Sequence, residues 1–304
     1  MTAPLVSVVI PAWNAERFIE KTLDSVKAQT FTDYEVVVTD DGSSDNTKAV
    51  VDAWLARNKV AGRCIRQENK KIAGARNTAM RAAAGHFIAL LDHDDLWYPE
   101  KLAKVIPEFD RHPEVVLVCH HINATKDGRL MPALKKGPVV PSMYERLLFN
   151  GNALAPSAVV FRKHEALDIG GFREDPRLNT VEDYDFWMRL SRIGLFLRVD
   201  EVLAEYVVVE NSASSRIEYH YSNMEFLLRL HFADHYPHAS ALTRLRMRRR
   251  LAMVYRTAAG ALITTGQQPD KQAEYVRRMV AEYPLDWKNL GRALQWAMQR
   301  LFIS

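Results

Sequence analysis

The 304-residue sequence predicts an α/β protein with a mostly parallel sheet, helices on both of its faces, and a helical C-terminal region. Short runs rich in Val and Ile alternate with helical patterns through the first 97 residues, and a polar cluster follows three of these runs. Strand patterns then end near residue 215, where Arg-rich helices begin. Strands joined by helices of this length are typical of parallel sheets that are buried on both faces.

Composition narrows the class of protein. Hydrophobic residues make up 48% and charged residues 26%, as in folded globular proteins, and the net charge of +4 is too small to indicate nucleic-acid binding. Cys64 and Cys119 lie in apolar, strand-like runs and are expected to be buried thiols. The N-terminus has no signal-peptide pattern, and no window has the roughly 20 apolar residues that a membrane span needs. We therefore expect a cytoplasmic protein.

The first half contains four predicted strands and three predicted helices. Asn14 has the residue type of a helix N-cap, and Pro11 is expected to end the first strand. Gly85 is expected to stop the third helix, which is rich in Ala. In order, the elements are strand 5–10, helix 14–29, strand 34–40, helix 43–58, strand 62–68, helix 73–85 and strand 86–92.

The second half is less regular. Strand patterns recur, and one amphipathic helix at 182–194 is expected to turn Phe186, Leu190 and Ile193 inward. A domain boundary is predicted near residue 215, with 210–215 as a linker. The other predicted elements are strands 115–122, 157–161, 196–199 and 203–209, and helices 219–236, 240–265, 270–283 and 287–302.

Three polar clusters follow strands of the predicted sheet. They are "PAWN" at 11–14, "DDGSSD" at 40–45 and "DHDD" at 92–95. In open parallel sheets ligands bind outside the carboxyl ends of the strands, so we expect the three clusters to meet at one edge.

The D-x-D pattern of Asp92 and Asp94 follows a buried strand. In an extended segment, residues two apart point the same way, so both carboxylates are expected on one side. Two oxygen ligands suit Mg²⁺ or Mn²⁺, whose coordination is commonly completed by a substrate's phosphates. Asp94 and Asp95 have a second interpretation, as caps of a helix that begins near Pro99.

The run from residue 5 to the "TDDGSSDNT" motif, followed by "AGARNTAMRAAAGHFIALLDHDDLW", resembles the nucleotide-binding half of family 2 glycosyltransferases. The resemblance is close over residues 5–97 and looser to about 210. It implies a GT-A fold and an inverting enzyme that uses a nucleotide-sugar donor and a divalent metal. The implied organisation is a GT-A domain at 1–215, with a nucleotide-binding half at 1–97 and an acceptor half at 98–215, followed by a basic helical region at 216–304.

The resemblance assigns the donor base to the first two clusters. Asp41 matches the acid that recognises the base, commonly uracil, and a carboxylate can accept the ring N–H. Pro11, Ala12 and Asn14 would form the floor under base and ribose. Trp13 would either stack on the base or be partly buried in the loop.

The resemblance also assigns the diphosphate side. Asp92 would contact the ribose or the metal, and Asp94 would bind the metal. Asp95 is expected to cap the following helix. Arg76 matches a position that lines the donor pocket, where it would either meet phosphate or form a salt bridge with the acidic loops.

Inverting transfer needs a base for the acceptor hydroxyl. Glu182 and Asp183 resemble the family's E-D pair, in which the aspartate is the usual base, so Asp183 is the predicted base. Glu182, on the acceptor side, and Asp185 are the fallback candidates. Acids are also favoured at a helix N-terminus by its dipole, whatever their function.

The segment "IGGFRED" resembles the family's acceptor-side loop, through Gly170, Gly171 and Phe172, although it also has the composition of a tight turn. One departure from the family is that Val207 and Val209 stand where Arg and His are often found near the diphosphate. Stabilisation of the leaving group would then depend more on the metal.

Two C-terminal helices are amphipathic in sequence. They are expected either to pack on the catalytic domain with a solvated basic face, or to contact an anionic membrane surface. No DNA-recognition motif accompanies the arginines. The first helix has Met247, Leu251, Val254 and Ala258 on one face with Arg246, Arg249 and Arg250 roughly opposite, and the second has a stripe of Leu290, Leu294, Ala297 and Leu301.

The sequence therefore predicts a transferase that moves a sugar from a nucleotide diphosphate, with a UDP-sugar expected, to a saccharide or a lipid-linked saccharide. The cofactor would be Mn²⁺ or Mg²⁺, and the pathway one that makes surface polysaccharide. The protein would lie in the cytoplasm or at the inner face of its membrane. The alternatives are a catalytically inactive relative that binds sugar or nucleotide, and a sugar-phosphate nucleotidylyltransferase.

Overall fold

The computed structural model describes residues 3–126, 129–134, 139–208, 216–266, 268–284 and 286–303. The chain divides into two compact units. The first comprises Met1–Leu147, Asn152–Glu174 and Glu182–Glu210, and the second comprises Leu148–Gly151, Asp175–Val181 and Asn211–Ser304. The predicted boundary near 215 and the linker at 210–215 lie outside the described residues and stay predictions.

Strands and helices alternate through the first part of the chain. The strands are β1 Val6–Ala12, β2 Tyr34–Asp40, β3 Gly62–Arg66, β4 Phe87–Leu90, β5 Leu96–Trp97, β6 Val115–Lys126, β7 Arg129–Leu134, β8 Val159–Arg162 and β9 Leu195–Val207. The helices up to Leu190 are α1 Ile19–Lys27, α2 Thr47–Asn58, α3 Lys71–Ala82, α4 Lys101–Val105, α5 Pro107–Arg111, α6 Met143–Asn150, α7 Lys163–Asp168 and α8 Glu182–Leu190.

All nine strands form one sheet in the order β3-β2-β1-β4-β8-β6-β9-β5, with β7 paired to β6. The four strands β3, β2, β1 and β4 are parallel, as predicted. The later strands make the sheet mixed, because β8 runs antiparallel to both of its neighbours and β5 runs antiparallel to β9. The chain winds outward from β1 through β2 to β3 and then returns to β4 on the other side of β1. The strand order therefore reverses between β1 and β4. In sheets of this type, ligands bind in the crevice that forms at that point.

The central strand β1 is buried on both faces, which explains its continuous apolar sequence. Val8 and Ile10 belong to a core cluster with Leu23 of α1 and Trp54 of α2. Helix α3 packs against β1 and β2 as well, and its Met80 is fully buried. Each fully buried side chain of this size stabilises the fold by about 1.5–3 kcal/mol, so the strand ends that carry the polar clusters have a rigid base.

The first strand continues past Pro11 to Ala12, contrary to the prediction. Pairing of β1 with β4 ends at Val9, so Pro11 and Ala12 are paired only with β2. Because no strand is paired with the other side of β1 at Pro11, the missing N–H of the proline is tolerated. Helix α1 begins at Ile19, and Asn14 does not cap it: Phe18 is at the N-cap position, and Asn14 adopts the left-handed backbone conformation, with φ of 50°.

Other boundaries also differ from expectation. The two strands predicted at 196–199 and 203–209 are one strand, β9, whose pairing with β6 shifts register near His121. Ile193 does not turn inward with Phe186 but is 48% exposed. Cys119 is buried and Cys64 is partly buried, and burial raises the pKa of both thiols, to about 11 and about 12 respectively.

In the described part of the second unit, four helices lie at nearly the predicted positions: α9 Ile217–His235, α10 Ala241–Thr265, α11 Pro269–Glu282 and α12 Trp287–Ile303. Ser240 caps α10 by accepting a hydrogen bond from the Thr243 N–H at 3.1 Å, and Gly266 ends it with φ of 65°. Over the described residues, every helix is too short or too polar to cross a bilayer.

Two expectations about these helices are wrong. Arg250 is not on a solvated face: it is buried and donates to the Leu148 carbonyl at 3.2 Å. The apolar stripe of α12 does not pack inward, because Leu290 and Leu294 are 50% and 65% exposed. The side chain of Leu301 lies outside the described residues.

Candidate active site

The three polar clusters meet at one edge of the sheet in the first unit, as predicted. The Asn14 N–H donates to Ser43 Oγ at 2.9 Å, and Asn14 Oδ1 accepts the Ser44 N–H at 2.8 Å. His93 Nδ1 lies 3.2 Å from the Pro11 carbonyl oxygen. These bonds hold the loops after β1, β2 and β4 against one another.

Asp41 is a buried carboxylate held in one orientation. Its N–H donates to the Ala12 carbonyl at 2.9 Å, and its Oδ1 accepts from Gln67 Nε2 at 2.7 Å and from the Lys70 N–H at 2.8 Å. Among the described residues, none donates to Oδ2. This oxygen can accept one further hydrogen bond.

Trp13 extends from the loop after β1. Pro11 and Ala12 beside it are buried, but Trp13 is 53% exposed. Trp13 is therefore partly buried and partly accessible for stacking, and the choice between the two predicted roles stays open.

The "DHDD" loop is a turn and not the extended segment that was predicted. The Asp95 N–H donates to the Asp92 carbonyl at 3.1 Å and closes the turn. Ser157 links both acids, because its Oγ accepts the Asp92 N–H at 3.0 Å and donates to Asp95 Oδ2 at 2.5 Å.

Asp95 has a structural role different from the predicted helix cap. Helix α4 begins only at Lys101, and Asp95 is 2% exposed. Its Oδ1 accepts the Val207 N–H at 3.1 Å, which ties the turn to the end of β9. Burial and the neighbouring carboxylates raise the pKa of Asp95 well above its usual range.

Asp92 and Asp94 are the accessible acids of the turn. The side chain of Asp92 is 24% exposed. Burial raises the pKa of Asp94, His93 opposes this effect and Asp92 adds to it, so a cation between the two carboxylates would be favourable. Within the described residues, no three His, Cys, Asp or Glu side chains form a group that could hold a metal. Two carboxylates are too few for a closed protein cage, whereas Mg²⁺ is commonly held by one or two carboxylates together with substrate phosphates.

Arg76 joins the two sides of the site. It is 1% exposed, and it donates from Nη1 to Glu182 Oε1 at 2.8 Å and from Nη2 to Asp92 Oδ1 at 2.9 Å. Its guanidinium carbon lies 5.3 Å from the centre of the Phe172 ring. We call the set of Asp92, Arg76 and Glu182 the Arg76 bridge. The predicted salt bridge to an acidic loop is therefore present, through Asp92, and contact of Arg76 with phosphate stays a prediction.

Glu182 and Asp183 open α8 in different environments. Glu182 is 4% exposed, and burial raises its pKa to about 7 against the opposing effect of Arg76. Asp183 is only half-buried; its Oδ1 accepts the Tyr184 N–H at 2.7 Å, and its Oδ2 lies 3.4 Å from Asn152 Nδ2.

Asp185, the other fallback base, is fully buried between two arginines. Its Oδ1 accepts from Arg173 at 3.0 Å and its Oδ2 from Arg189 at 2.8 Å. Arg189 also donates to the carbonyls of Ile169 and Gly171. Asp185 thus holds the loop before α8 in place, and both of its oxygens are in use.

The loop with Gly170, Gly171 and Phe172 is fixed by Asn77 of α3. Asn77 accepts the Phe172 N–H at 2.8 Å and donates to the Phe172 carbonyl at 2.7 Å. Both glycines have positive φ, 84° and 66°, and a Cβ on Gly171 would lie 2.5 Å from Asn77 Oδ1. Glycine is therefore required at Gly171 on two grounds.

The roles of Asn77 and Ser157 were not predicted from the sequence. A signal existed for Asn77, because asparagine in the middle of an Ala-rich helix is unfavourable unless its amide has partners. Ser157 gave no such signal, since its partners are 62 and 65 residues away in the chain.

The sequence profile described as "Glycosyl transferase family 2" matches residues 7–166, more than half of the chain. The chain therefore belongs to this family and is a glycosyltransferase. This confirms the resemblance and sets aside the nucleotidylyltransferase alternative.

Curated relatives share about 30% identity with this chain. Chondroitin synthase of Escherichia coli is 30% identical over 219 residues, which are 71% of this chain and 31% of that protein. An uncharacterized glycosyltransferase of Nostoc sp. is 33% identical over 54% of this chain and 52% of its own length. A putative teichuronic acid biosynthesis glycosyltransferase of Bacillus subtilis, TuaG, is 29% identical over 70% of this chain and 82% of its own. The chain thus spans 31% and 52% of the lengths of the first two relatives.

Solved structures establish the fold. S. aureus TarS 1-349 in complex with UDP-GlcNAc has a TM-score of 0.62 at 20% identity and covers 91% of this chain and 89% of its own. The mannosyltransferase PcManGT from Pyrobaculum calidifontis, in complex with GDP-Man and Mn²⁺, has a TM-score of 0.58 at 21% identity over 98% and 85% of the two chains. The predicted GT-A-type α/β fold with C-terminal helices is confirmed.

Proposed function

We propose that this family 2 glycosyltransferase is a metal-dependent inverting enzyme that moves a sugar from a UDP-sugar to a saccharide or lipid-linked saccharide during polysaccharide synthesis. The observation that carries the proposal is the Arg76 bridge, with Asp92 at its donor end and Glu182, next to Asp183, at the other. This arrangement supports a single site in which donor and acceptor are held next to each other, as a single displacement requires.

Asp41 and Trp13 would recognise the base. Asp41 Oδ2 would accept the imide N–H of uracil, since its Oδ1 is held by Gln67 and the Lys70 N–H. The exposed indole of Trp13 would stack on the ring, with Pro11 and Ala12 as the floor. Guanine also has a ring N–H, so comparison of UDP with GDP tests this assignment.

Asp92 and Asp94 would hold Mn²⁺ or Mg²⁺. When bound, the cation supplies positive charge for the leaving diphosphate. The Mn²⁺ named with PcManGT supports divalent metal use. Val207 offers no cationic side chain, and Val209 lies outside the described residues, so the departure from the family pattern supports reliance on the metal.

Asp183 would take the proton of the acceptor hydroxyl. It is half-buried, whereas both oxygens of Asp185 are in ion pairs and Glu182 is buried against Arg76. The acceptor oxygen then bonds to the anomeric carbon as the bond from that carbon to the diphosphate oxygen breaks. Because the attack comes from the face opposite the leaving group, the anomeric configuration inverts.

The acceptor side would be formed by Gly170, Gly171 and Phe172. The names of the relatives, chondroitin synthase and teichuronic acid biosynthesis glycosyltransferase, support a saccharide acceptor. We assign the donor half to 1–97 and the acceptor half to 98–215. A lipid-linked acceptor would hold the enzyme at the inner face of the cytoplasmic membrane.

The test is a panel of UDP- and GDP-sugars with Mn²⁺, in which release of the nucleotide and transfer to saccharide acceptors are measured. Asp183→Asn should lower transfer by about 10²- to 10⁴-fold and leave UDP affinity within about twofold. Asp94→Asn should abolish the response to Mn²⁺. Asp110→Asn, which removes an exposed carboxylate of α5, is the control and should behave as wild type.

Retention of transfer by Asp183→Asn would move the base to another residue. Binding of UDP with no turnover of any donor would identify an inactive, nucleotide-binding relative.

A further inference from the structure

Helix α12 packs with its polar face inward. Asn289 is 1% exposed; its Nδ2 donates to the Tyr283 carbonyl at 2.8 Å, and its Oδ1 accepts from Arg256 of α10 at 3.0 Å. These bonds satisfy a buried amide that would otherwise destabilise the helix. The inner contact of α12 therefore includes buried hydrogen bonds.

Arg292 lies one turn after Asn289 and continues the polar face. A Cβ on Gly260 of α10 would stand only 2.8 Å from Arg292 Nη2, so glycine at this position makes room for the guanidinium. Gly260 is unfavourable in the middle of a helix, by about 1 kcal/mol relative to alanine. The close approach shows that α10 receives the polar side of α12.

The outer face of α12 is apolar. Trp287, Leu290 and Leu294 follow one another at helical spacing and are 74%, 50% and 65% exposed. In a helix that packs on a protein core the arrangement is the reverse. A continuous apolar stripe facing water is unfavourable and marks a surface that another apolar surface covers.

The charge of this part of the chain indicates what covers the stripe. Residues 216–304 contain fourteen Lys and Arg against seven Asp and Glu, whereas residues 1–215 contain twenty-seven against thirty. Helix α12 itself contains Lys288, Arg292 and Arg300 and no acidic residue. A second copy of the chain would bring two such basic regions together, which is unfavourable.

An anionic bilayer surface is complementary to both features. Helices that lie in a membrane interface combine Trp and Leu on one face with basic residues elsewhere, and they need not span the bilayer. Helix α10 adds a second patch of this kind, because Leu242 and Leu245 are 70% and 46% exposed beside the exposed Arg244.

We propose that the apolar face of α12 inserts Trp287, Leu290 and Leu294 among the headgroups of an anionic phospholipid bilayer. Of the two alternatives that the sequence left open for the C-terminal helices, this is the membrane contact, and it is assigned to the apolar stripe of α12. It rests on the proposed function only in that a lipid-linked acceptor explains why the enzyme would be at a membrane.

The test is flotation of the full chain with vesicles of phosphatidylcholine alone or with one quarter phosphatidylglycerol. Binding should be at least about tenfold stronger to the anionic vesicles and should weaken as salt is added. The double variant Leu290→Gln with Leu294→Gln should lose at least about tenfold in binding. Leu130→Gln is the control, because Leu130 is 66% exposed but lies in the first unit.

Donor turnover in the double variant separates this proposal from the proposed function. It should be unchanged, since neither leucine belongs to the first unit. Equal binding of the double variant and wild type, or no binding to either vesicle, would overturn the proposal. A wild-type dimer in analytical ultracentrifugation that the double variant loses would overturn it too, and would assign the stripe to a second copy.

Discussion

Removal of the Arg76 charge should destabilise the first unit more than removal of any exposed arginine. Arg76→Met keeps most of the apolar stem but leaves Asp92 and Glu182 without the guanidinium that lies 2.9 and 2.8 Å from them. Loss of one partner from a buried ion pair costs about 3–5 kcal/mol. Because the side chain of Asp92 is 24% exposed and can be hydrated, we expect the lower end, about 3 kcal/mol at pH 8.

The cost should depend on pH through Glu182. Burial already raises the pKa of this carboxyl to about 7, and loss of the cation that opposes this effect raises it further. At pH 6 Glu182 is then neutral in the variant and no longer needs the guanidinium. The destabilisation by Arg76→Met should therefore be about 1–2 kcal/mol smaller at pH 6 than at pH 8.

Urea unfolding followed by tryptophan fluorescence, at pH 6 and pH 8, measures both quantities. Arg173→Met is the matched control: it also removes an ion pair, but its side chain is 44% exposed and Asp185 keeps Arg189, so we expect about 1 kcal/mol or less. An equal cost of Arg76→Met at both pH values, or an equal cost in a Glu182→Gln background and in wild type, would show that Glu182 does not determine the effect.

Three further predictions concern single positions. Glu182→Gln should change how stability varies with pH. The pKa of Glu182 is raised from 4.5 to about 7, so between these pH values the folded state holds a proton that the unfolded state has lost. In urea titrations, wild type should therefore lose about 3 kcal/mol of stability relative to the variant between pH 4.5 and 7. Parallel stability curves for the two proteins would contradict this. Trp13→Ala should raise the KM for the donor roughly 2- to 10-fold with kcat and Tm unchanged, because the indole is exposed and would contact only the base. An unchanged KM would remove Trp13 from the donor site. Gly171→Ala should lower Tm more than Gly170→Ala. Both glycines have positive φ, so both substitutions strain the backbone. The new Cβ at Gly171 would lie 2.5 Å from Asn77 Oδ1, whereas a Cβ at Gly170 would have nothing within 4 Å. Equal losses in thermal melts would show that backbone strain alone decides.

Patterns that depend on near neighbours in the chain were predicted well. The first four strands, the three helices between them and the four C-terminal helices lie close to their expected positions. Proline was the main source of error in β1, because its effect depends on whether a second strand is bonded at that level.

Partners of buried charges were predicted poorly. The interpretation of Asp95 as a helix cap was reasonable from its position before a helix, yet it binds Ser157 and Val207, 62 and 112 residues away. The pairing of Arg76 with Asp92 of an acidic loop was one of its two predicted roles, but its second partner, Glu182, lies 106 residues away and was not predicted.

Residue order alone therefore determined the class of fold, the family and the three loops that meet at the sheet edge, since periodicity and turn chemistry act over a few residues and parallel strands bring their ends together. Only the tertiary structure decided which carboxylates are paired and which face of α12 is exposed. Those outcomes depend on burial and on partners distant in the chain, and the free energy of a charge or of an apolar stripe is set by what surrounds it in space.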